Sequence, residues 1–203
     1  MGVQNITASW DEWEIKQKVY DRLQSKGLPE SYSYWGNILS KSFSKFCVVE
    51  GNILDIGCGN PDHSIKYFGG KNFYYIGLDP LAPKITSVIP VVKGLGEDLP
   101  FGDSSFDNVA IMSILDHVVD PNIVIFEASR VLKVGGFLYI LILVWTDNFS
   151  VENDEYHFRH FSEQEIYDLI PKNFRIEETQ FIPYKEKYRR VMYLKAKKKE
   201  ISV

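Results

Sequence analysis

The segment Asn52-Ile53-Leu54-Asp55-Ile56-Gly57-Cys58-Gly59-Asn60-Pro61 constrains the fold of this chain more than any other stretch. It starts as an apolar run with the composition of a buried strand, and that run ends in a carboxylate followed by two glycines. Glycine adopts positive φ angles and allows a ligand to approach bare backbone. The segment therefore predicts a buried strand, a sharp turn, and a nucleoside-containing cofactor lying against that turn.

Strand and helix patterns alternate along the chain after residue 50. The predicted strands cover 51–56, 73–79, 88–93, 107–113 and 136–144, and the predicted helices between them cover 62–68 and 121–132. Strands separated by segments of helix length form parallel sheets through right-handed crossovers. The pattern predicts an α/β chain with a doubly wound, mostly parallel sheet.

The last part of the chain predicts a helix followed by two strands. Ser162, with Glu165 three residues later, forms a capping-box pattern at the start of that helix. Two strand patterns follow at 173–181 and 190–196, and we expect them to form an antiparallel hairpin at the sheet edge.

Two helical patterns occupy the region before the sheet, with a break at Gly27-Leu28-Pro29. The second pattern carries Tyr34 and Trp35, whose rings fit either core packing or a lid over a substrate pocket. We expect one domain over residues 1–203, with a helical cap over 1–47 and an α/β core over 48–203.

Composition favours a soluble protein of the cytoplasm. The net charge of −4 offers no general attraction to nucleic acid, so no nucleic-acid partner is expected. The two cysteines, Cys47 and Cys58, lack metal-ligand spacing and are expected as reduced thiols. The longest apolar run, Phe137 to Trp145, is too short to span a bilayer, so no membrane association is expected.

The residues after the second predicted strand restrict the cofactor. Asp79, in Gly77-Leu78-Asp79-Pro80, stands where an acidic residue accepts hydrogen bonds from ribose hydroxyls. A dinucleotide fingerprint would place a third glycine at residue 62, which is Asp62, so an NAD site is disfavoured. The helix after the glycine turn is expected to present free N–H groups to the ligand.

Three blocks of sequence together resemble one family. They are Leu54 to Gly59, then Gly96-Glu97-Asp98-Leu99-Pro100-Phe101 with Ser105-Phe106-Asp107, then Arg130-Val131-Leu132-Lys133-Val134-Gly135-Gly136. In this order they resemble class I S-adenosylmethionine-dependent methyltransferases of the small single-domain type with an L-P-F motif. The resemblance implies a Rossmann-like, seven-stranded sheet with an antiparallel C-terminal edge, and S-adenosyl-L-methionine as cofactor, with S-adenosyl-L-homocysteine as product.

The resemblance also implies a set of cofactor-binding residues. They are Asp55, Gly57, Cys58, Gly59, Asp79, Pro80, Leu95, Gly96, Glu97 and Ser113. Family members often have Asp-Ala where this chain has Leu95-Gly96, so adenine recognition is expected to fall to backbone groups and packing. The third block is expected to be a structural turn between a helix and a strand.

The region after the fourth strand offers a candidate base for methyl transfer. The free histidine side chain titrates near neutrality, so His117 fits either a general base or a structural histidine. Asp116 could orient it, although adjacent side chains on a strand point to opposite faces. The strand lacks the Asn/Asp-Pro-Pro-Tyr tetrad that holds an exocyclic amine in resembling enzymes.

A second polar group precedes the capped helix. His157 and Arg159, next to His160, fit either a binding site for a substrate carboxylate or phosphate, or a solvated loop. The histidine spacing fits no helical pair, so no metal is expected. The sequence predicts a methyltransferase acting on a small molecule at oxygen or carbon, with Tyr34 and Trp35 also near the acceptor. The alternatives are an inactive cofactor-binding subunit and an NAD-dependent oxidoreductase.

Overall fold

The computed structural model describes residues 10–25, 30–82, 88–146, 157–184 and 188–200, without the side chains of 19–25 and 30–35. The helices are α1 (Trp10–Ser25), α2 (Glu30–Phe46), α3 (Pro61–Ser64), α4 (Pro121–Val131) and α5 (Glu163–Leu169). The strands are β1 (Gly51–Ile56), β2 (Phe73–Leu78), β3 (Val91–Val92), β4 (Phe106–Met112), β5 (Leu132–Trp145), β6 (Phe161–Ser162), β7 (Phe174–Pro183) and β8 (Arg189–Lys198).

The strands form one mixed sheet in the order β3-β2-β1-β4-β5-β8-β7, and the two-residue strand β6 pairs with the end of β5. Strands β1 to β5 are mutually parallel, whereas β8 is antiparallel to both β5 and β7. The predicted parallel sheet with an antiparallel C-terminal edge is confirmed. Strand order reverses at β1, which lies between β2 and β4, and a crevice forms at such a point.

Helices cover both faces of the sheet, which confirms the doubly wound architecture. Leu54 and Ile56 of β1 face the cluster that contains Val124 and Ala128 of α4. Ile53 points to the opposite face and joins the cluster around α2. The period-two alternation of the strand therefore places apolar residues in two separate cores. No helix among the residues described has the length and apolar character of a membrane span.

The second half of α2 belongs to the core. The Phe43 and Tyr193 rings meet edge to face with centroids 4.9 Å apart, and the Ser42 and Tyr193 hydroxyls are hydrogen-bonded at 2.6 Å. Tyr34 and Trp35 lie on the first half of α2, and their side chains fall outside the description. The lid role predicted for this region therefore stays a prediction.

Two elements differ from the sequence-based expectation near the crevice. The helix expected over 62–68 is the four-residue α3 followed by a 3₁₀ turn at Ile65–Tyr67. Asn60 caps α3 by accepting the Asp62 N–H at 3.0 Å, so this helix does not provide the free N–H groups that were expected. Strand β3 is limited to two residues, because the preceding Pro90 has no N–H to donate to the ladder.

Arg130 connects the second and third sequence blocks. Its guanidinium donates to the carbonyl oxygens of Phe101 and Leu99 at 2.8 and 3.0 Å, and to both carboxylate oxygens of Glu127. Glu127 in turn accepts the Leu99 N–H at 3.0 Å. The L-P-F segment is thus held against α4, and the structural role predicted for the third block is confirmed at Arg130.

Candidate functional site

The glycine turn after β1 has the backbone geometry that the sequence predicted. Gly57 has φ of +71° and Gly59 has φ of +53°, both in the left-handed region. A Cβ on Gly57 would lie 2.6 Å from Cγ2 of Ile114, whereas no described atom lies within 4 Å of a Cβ built on Gly59. One side of the turn is therefore packed against the loop after β4, and the other is open at exposed Gly59.

Asp79 lies at the end of β2, directly against this turn. It is 8% exposed. Its Oδ2 accepts the Gly59 N–H at 2.9 Å, and its Oδ1 accepts the Leu81 N–H at 2.8 Å. A carboxylate oxygen has two lone-pair sites, so it can accept more than one hydrogen bond. The adjacent Pro80 is half-buried.

Asp55, in contrast, is enclosed in the protein, with 0% exposure. Its Oδ2 accepts hydrogen bonds from the Ser64 and Tyr75 hydroxyls, the latter at 2.7 Å. Burial raises the pKa of Asp55 to about 7; the two hydroxyls oppose this shift, and the negative charge of Asp79 adds to it. Asp55 therefore connects the strand to α3 and β2, and its predicted contact with cofactor stays a prediction.

Cys58 fills the space beside β2. Its Sγ lies 2.6 Å from where a Cβ on Gly77 would stand, so only glycine fits at that point of β2. Burial raises the pKa of the Cys58 thiol well above its ordinary value, and the negative charges of Asp55 and Asp79 act in the same direction. The thiol is neutral, and what Cys58 offers to a ligand is its backbone.

The segment with Leu95, Gly96 and Glu97 lies next to Asp79. The Gly94 N–H points to the Asp79 carbonyl oxygen at 3.4 Å. A Cβ on buried Gly96 would lie 3.1 Å from Ile56 and 3.2 Å from Val124, which is tighter than ordinary contact. Glycine thus lets this segment pass between β1 and α4. Leu95 is half-buried beside it.

The loop after β4 completes this edge of the sheet. Ser113 is exposed and has φ of +53°, an uncommon conformation for a residue with a side chain. The chain then turns, with the His117 N–H donating to the Ile114 carbonyl at 2.9 Å. Because Asp116 and His117 lie in a turn rather than a strand, their side chains approach each other, contrary to the opposite-face expectation.

A cluster of one carboxylate and two histidines results. Asp116 Oδ1 lies 3.9 Å from Nε2 of His117, and Asp116 Oδ2 lies 3.7 Å from Nε2 of His157. The His117 and His157 rings have centroids 4.5 Å apart. His160 follows at 5.5 Å from His157 and packs against Trp145. His117, and the pair His157 and His160, were predicted as separate groups; in the fold they form one cluster.

Arg159 holds the segment of these histidines against the loop after β4. Its Nη2 donates to the Val119 carbonyl oxygen at 2.8 Å. Burial lowers the pKa of Arg159, while the carboxylates of Asp120, Glu97 and Asp116 act to raise it. The Val119 N–H in turn donates to Glu97 at 2.9 Å, which links this region to the 95–97 segment.

Helix α1 also reaches this region. Lys16 donates to the His157 carbonyl oxygen at 2.8 Å, and its ammonium lies 5.3 Å from the centre of the Phe158 ring. The N-terminal helix therefore borders the cluster, where the sequence predicted an acceptor site.

The comparisons with known proteins agree with this geometry. Residues 54–140 match the sequence model of a family described as methyltransferase domain. A crystal structure of an S-adenosylmethionine-dependent methyltransferase from Thermotoga maritima is 25% identical, with a TM-score of 0.67 over 93% of this chain and 100% of that one. Residues 54–140 thus resemble a methyltransferase domain in sequence, and the fold is shared with an S-adenosylmethionine-dependent methyltransferase.

The matches to curated relatives cover only part of each of those proteins. Demethylmenaquinone methyltransferase of Staphylococcus carnosus is 34% identical over 134 residues, which cover 60% of this chain and 54% of that protein. Sterol 24-C-methyltransferase of Kluyveromyces lactis is 30% identical over 62% of this chain and 37% of that protein. The chain thus spans about half the length, or less, of these curated relatives.

The fold likeness extends to a ligand-bound structure. The 1,6-didemethyltoxoflavin-N1-methyltransferase of Burkholderia thailandensis, solved with 1,6-didemethyltoxoflavin and S-adenosylhomocysteine, has a TM-score of 0.66 over 98% of this chain and 94% of that one. Its sequence is 16% identical, so it supports the methyltransferase fold alone.

Within this methyltransferase fold, most of the predicted cofactor residues converge. The glycine turn, Asp79, the 95–97 segment and Ser113 follow the carboxyl ends of β1, β2, β3 and β4 respectively, whereas Asp55 lies on β1 before the turn. Ile114, Ser64 and Tyr75 also support the site, but they were not among the residues predicted from the sequence. No motif marks them, because each acts by packing or bonding across the fold.

Proposed function

We propose that the protein transfers a methyl group from S-adenosylmethionine to a small molecule, at oxygen or carbon. The observation that carries this proposal is the Gly59–Asp79 hydrogen bond, which holds an open glycine turn against a carboxylate at the crevice of a methyltransferase fold. A ligand with a ribose can contact both groups at once.

The residues present fit this cofactor. Gly57 and Gly59 would expose backbone to it, Asp79 would accept the ribose hydroxyls, and Leu95 would pack against adenine. The open Cβ direction of Gly59 provides the room, since no described atom lies within 4 Å. When bound, S-adenosylmethionine supplies an electrophilic methyl group on a sulfonium, so the protein itself needs no chemical activation of the donor.

The acceptor is proposed to lie between the glycine turn and the Asp116–His117–His157 cluster. Ile114 contacts Gly57, and His117 follows three residues later, so the cluster stands beside the cofactor pocket. His117 is the candidate group to take a proton from the acceptor, with Asp116 as its neighbour at 3.9 Å. Holding the acceptor in line with the methyl group would lower the barrier by removing the entropy cost of bringing the reactants together.

A small-molecule acceptor is supported by charge and by the names of two relatives, although another relative is named for tRNA U34. Two of the curated relatives are a demethylmenaquinone methyltransferase and a sterol 24-C-methyltransferase, so their names denote small-molecule acceptors. The chain carries a net charge of −4, which does not favour a nucleic-acid substrate. A cytoplasmic location is supported by two unpaired, buried cysteines, which persist in a reducing compartment.

An inactive cofactor-binding protein is the second candidate. Leu95-Gly96 lacks a side-chain carboxylate for the adenine amino group, which would reduce cofactor affinity. The [4+2]-cyclase SpnF, at 16% identity and a TM-score of 0.66, has the same fold under a name that denotes another chemistry.

A methyl-transfer assay with labelled S-adenosylmethionine distinguishes the two candidates. The purified protein is incubated with labelled S-adenosylmethionine and with either the small-molecule or the macromolecular fraction of a cell extract. The proposal predicts labelled, small methylated product only with the first fraction. Product in the macromolecular fraction would overturn the acceptor class, and cofactor binding without product in either fraction would favour the inactive protein.

A further inference from the structure

Three side chains with metal-binding atoms meet beside the proposed acceptor pocket. Asp116 and His117 come from the turn after β4, and His157 comes from the segment that precedes β6. Their ligand atoms all lie within 4.8 Å of one another. Segments distant in sequence thus bring two imidazoles and one carboxylate together.

The distances are close to those of a bound metal ion. Zinc binds nitrogen and oxygen ligands at about 2.0–2.2 Å, so two ligands of a tetrahedral site stand roughly 3.3 Å apart. The two measured nitrogen–oxygen separations are 3.9 and 3.7 Å. Small side-chain rotations would therefore bring all three ligand atoms to a common ion.

Oδ1 of Asp116 is suited to coordinate a metal ion. Its side chain is 13% exposed, and Oδ1 is buried without a hydrogen-bond partner among the described residues. A buried carboxylate oxygen without a partner is costly, and a cation would remove that cost. This oxygen is also the one that lies nearer to Nε2 of His117.

The surrounding charges are balanced rather than repulsive. Among the described residues, Arg159 and Lys16 are nearby cations, and their contacts include backbone carbonyl oxygens of the two loops. Glu97 and Asp120 are further carboxylates that interact with Arg159. Within the described part of this region, a divalent ion would therefore meet three carboxylates, Asp116 included, and two cations.

We propose that Asp116, His117 and His157 form a zinc site that binds an oxygen of the methyl acceptor. Two histidines and one carboxylate leave a fourth position open, as catalytic zinc sites do. The acceptor class is then a molecule with an ionisable hydroxyl, such as a phenol or an enol. The metal site depends only on the cluster, whereas its role toward the acceptor rests on the proposed function.

The transfer step balances without a further reagent. Zinc lowers the pKa of the bound hydroxyl, and the hydroxyl proton passes to solvent. An oxygen–carbon bond then forms to the methyl group as the carbon–sulfur bond breaks, and its electron pair neutralises the sulfonium. With zinc bound, His117 is a ligand rather than a free base, so the metal replaces the base function assigned to His117 alone.

Metal binding can be measured without methyl transfer. The full chain, without a polyhistidine tag, is stripped with a chelator and titrated with Co²⁺, whose visible spectrum reports nitrogen ligands; Zn²⁺ is then added as competitor. Asp116→Asn and His157→Gln each remove one ligand. His63→Gln is the matched control, because His63 is exposed on α3 and outside the cluster.

We expect one Co²⁺ per chain in the wild type and in His63→Gln, displaced by Zn²⁺. Each ligand variant should bind at least about tenfold more weakly, since even outer-shell partners of a metal ligand contribute this much. The absence of saturable binding in the wild type, or ligand variants that bind within tenfold of it, would overturn the proposal. If Asp116→Asn is unfolded, His157→Gln decides.

Titration of the same samples with S-adenosylhomocysteine separates this proposal from the methyltransferase assignment. Cofactor binding without Co²⁺ binding removes the zinc site and leaves the proposed function. Co²⁺ binding without cofactor binding supports the metal site and contradicts the proposed function.

Discussion

The backbone N–H of Gly59 donates to Oδ2 of Asp79 over 2.9 Å, joining the turn after β1 to the end of β2. The same carboxylate accepts the Leu81 N–H through its other oxygen. The two chain segments that would surround a ribose are therefore fixed to each other by protein bonds alone. This arrangement reduces the ordering needed when a ligand binds.

Asp79→Ala is expected to weaken binding of S-adenosylhomocysteine by about 1–3 kcal/mol, because it removes the acceptor for the ribose hydroxyls and frees the Gly59 N–H. Isothermal calorimetry measures the change. Asp168→Asn, at an exposed carboxylate on α5, is the control and should bind as the wild type does. Equal affinity of wild type and Asp79→Ala would remove Asp79 from the site.

Alanine substitutions at the two turn glycines are expected to have different effects. Both place a side chain at positive φ, which costs about 1–2 kcal/mol. Gly57→Ala also collides with Ile114 at 2.6 Å, so it should lower the melting temperature more than Gly59→Ala does. Gly59→Ala should instead act mainly on cofactor affinity. Thermal unfolding and calorimetry on both variants check this; equal melting temperatures would contradict the described packing.

The stability of the protein should depend on the ionisation of Asp55. Burial raises its pKa to about 7, so the folded state keeps this proton to higher pH than the unfolded chain. The contribution of Asp55 thus favours folding at low pH and is lost as pH rises through about 7. In Asp55→Asn this pH dependence should disappear.

Urea unfolding at about pH 4 and pH 8 measures the effect of Asp55. The unfolding free energy of wild type relative to Asp55→Asn should fall by up to about 4 kcal/mol between these conditions, since one pKa unit corresponds to about 1.4 kcal/mol. A difference that stays constant with pH would show that folding does not raise the pKa of Asp55.

Both cysteines should be unreactive in the folded protein. Cys47 and Cys58 are buried, and burial raises the pKa of each thiol above its ordinary value. The nucleophilic form is the thiolate, so alkylation by iodoacetamide at neutral pH should be at least tenfold slower than in the urea-unfolded chain. Mass spectrometry counts the labels; rapid alkylation of Cys58 in the native state would contradict its described environment.

The sequence predicted the sheet well because strand periodicity and burial are local signals. Strand β1 has the predicted bounds, and the antiparallel hairpin β7–β8 lies at the expected edge. Strand β3 and the helix after the glycine turn were overestimated. Both differences have a short-range cause. Pro90, which has no N–H, precedes the shortened β3, and Asn60 caps the short helix α3.

Only the part of the site whose residues follow a typical spacing could be predicted from the sequence. Glycines and end-of-strand carboxylates have a typical spacing, so the turn and Asp79 were found from the sequence. The meeting of Asp116, His117 and His157 depends on a turn after β4 and on the docking of a distant segment. Neither leaves a periodic signal, and for this reason a metal site could not be predicted from the residue spacing.

Calorimetric titration of the wild-type protein with S-adenosylhomocysteine, and separately with NAD, tests the central claim most directly. The open glycine turn and Asp79 predict saturable binding of one S-adenosylhomocysteine per chain and no measurable binding of NAD. No binding of S-adenosylhomocysteine, or tighter binding of NAD, would contradict the assignment of this crevice to the methyl donor.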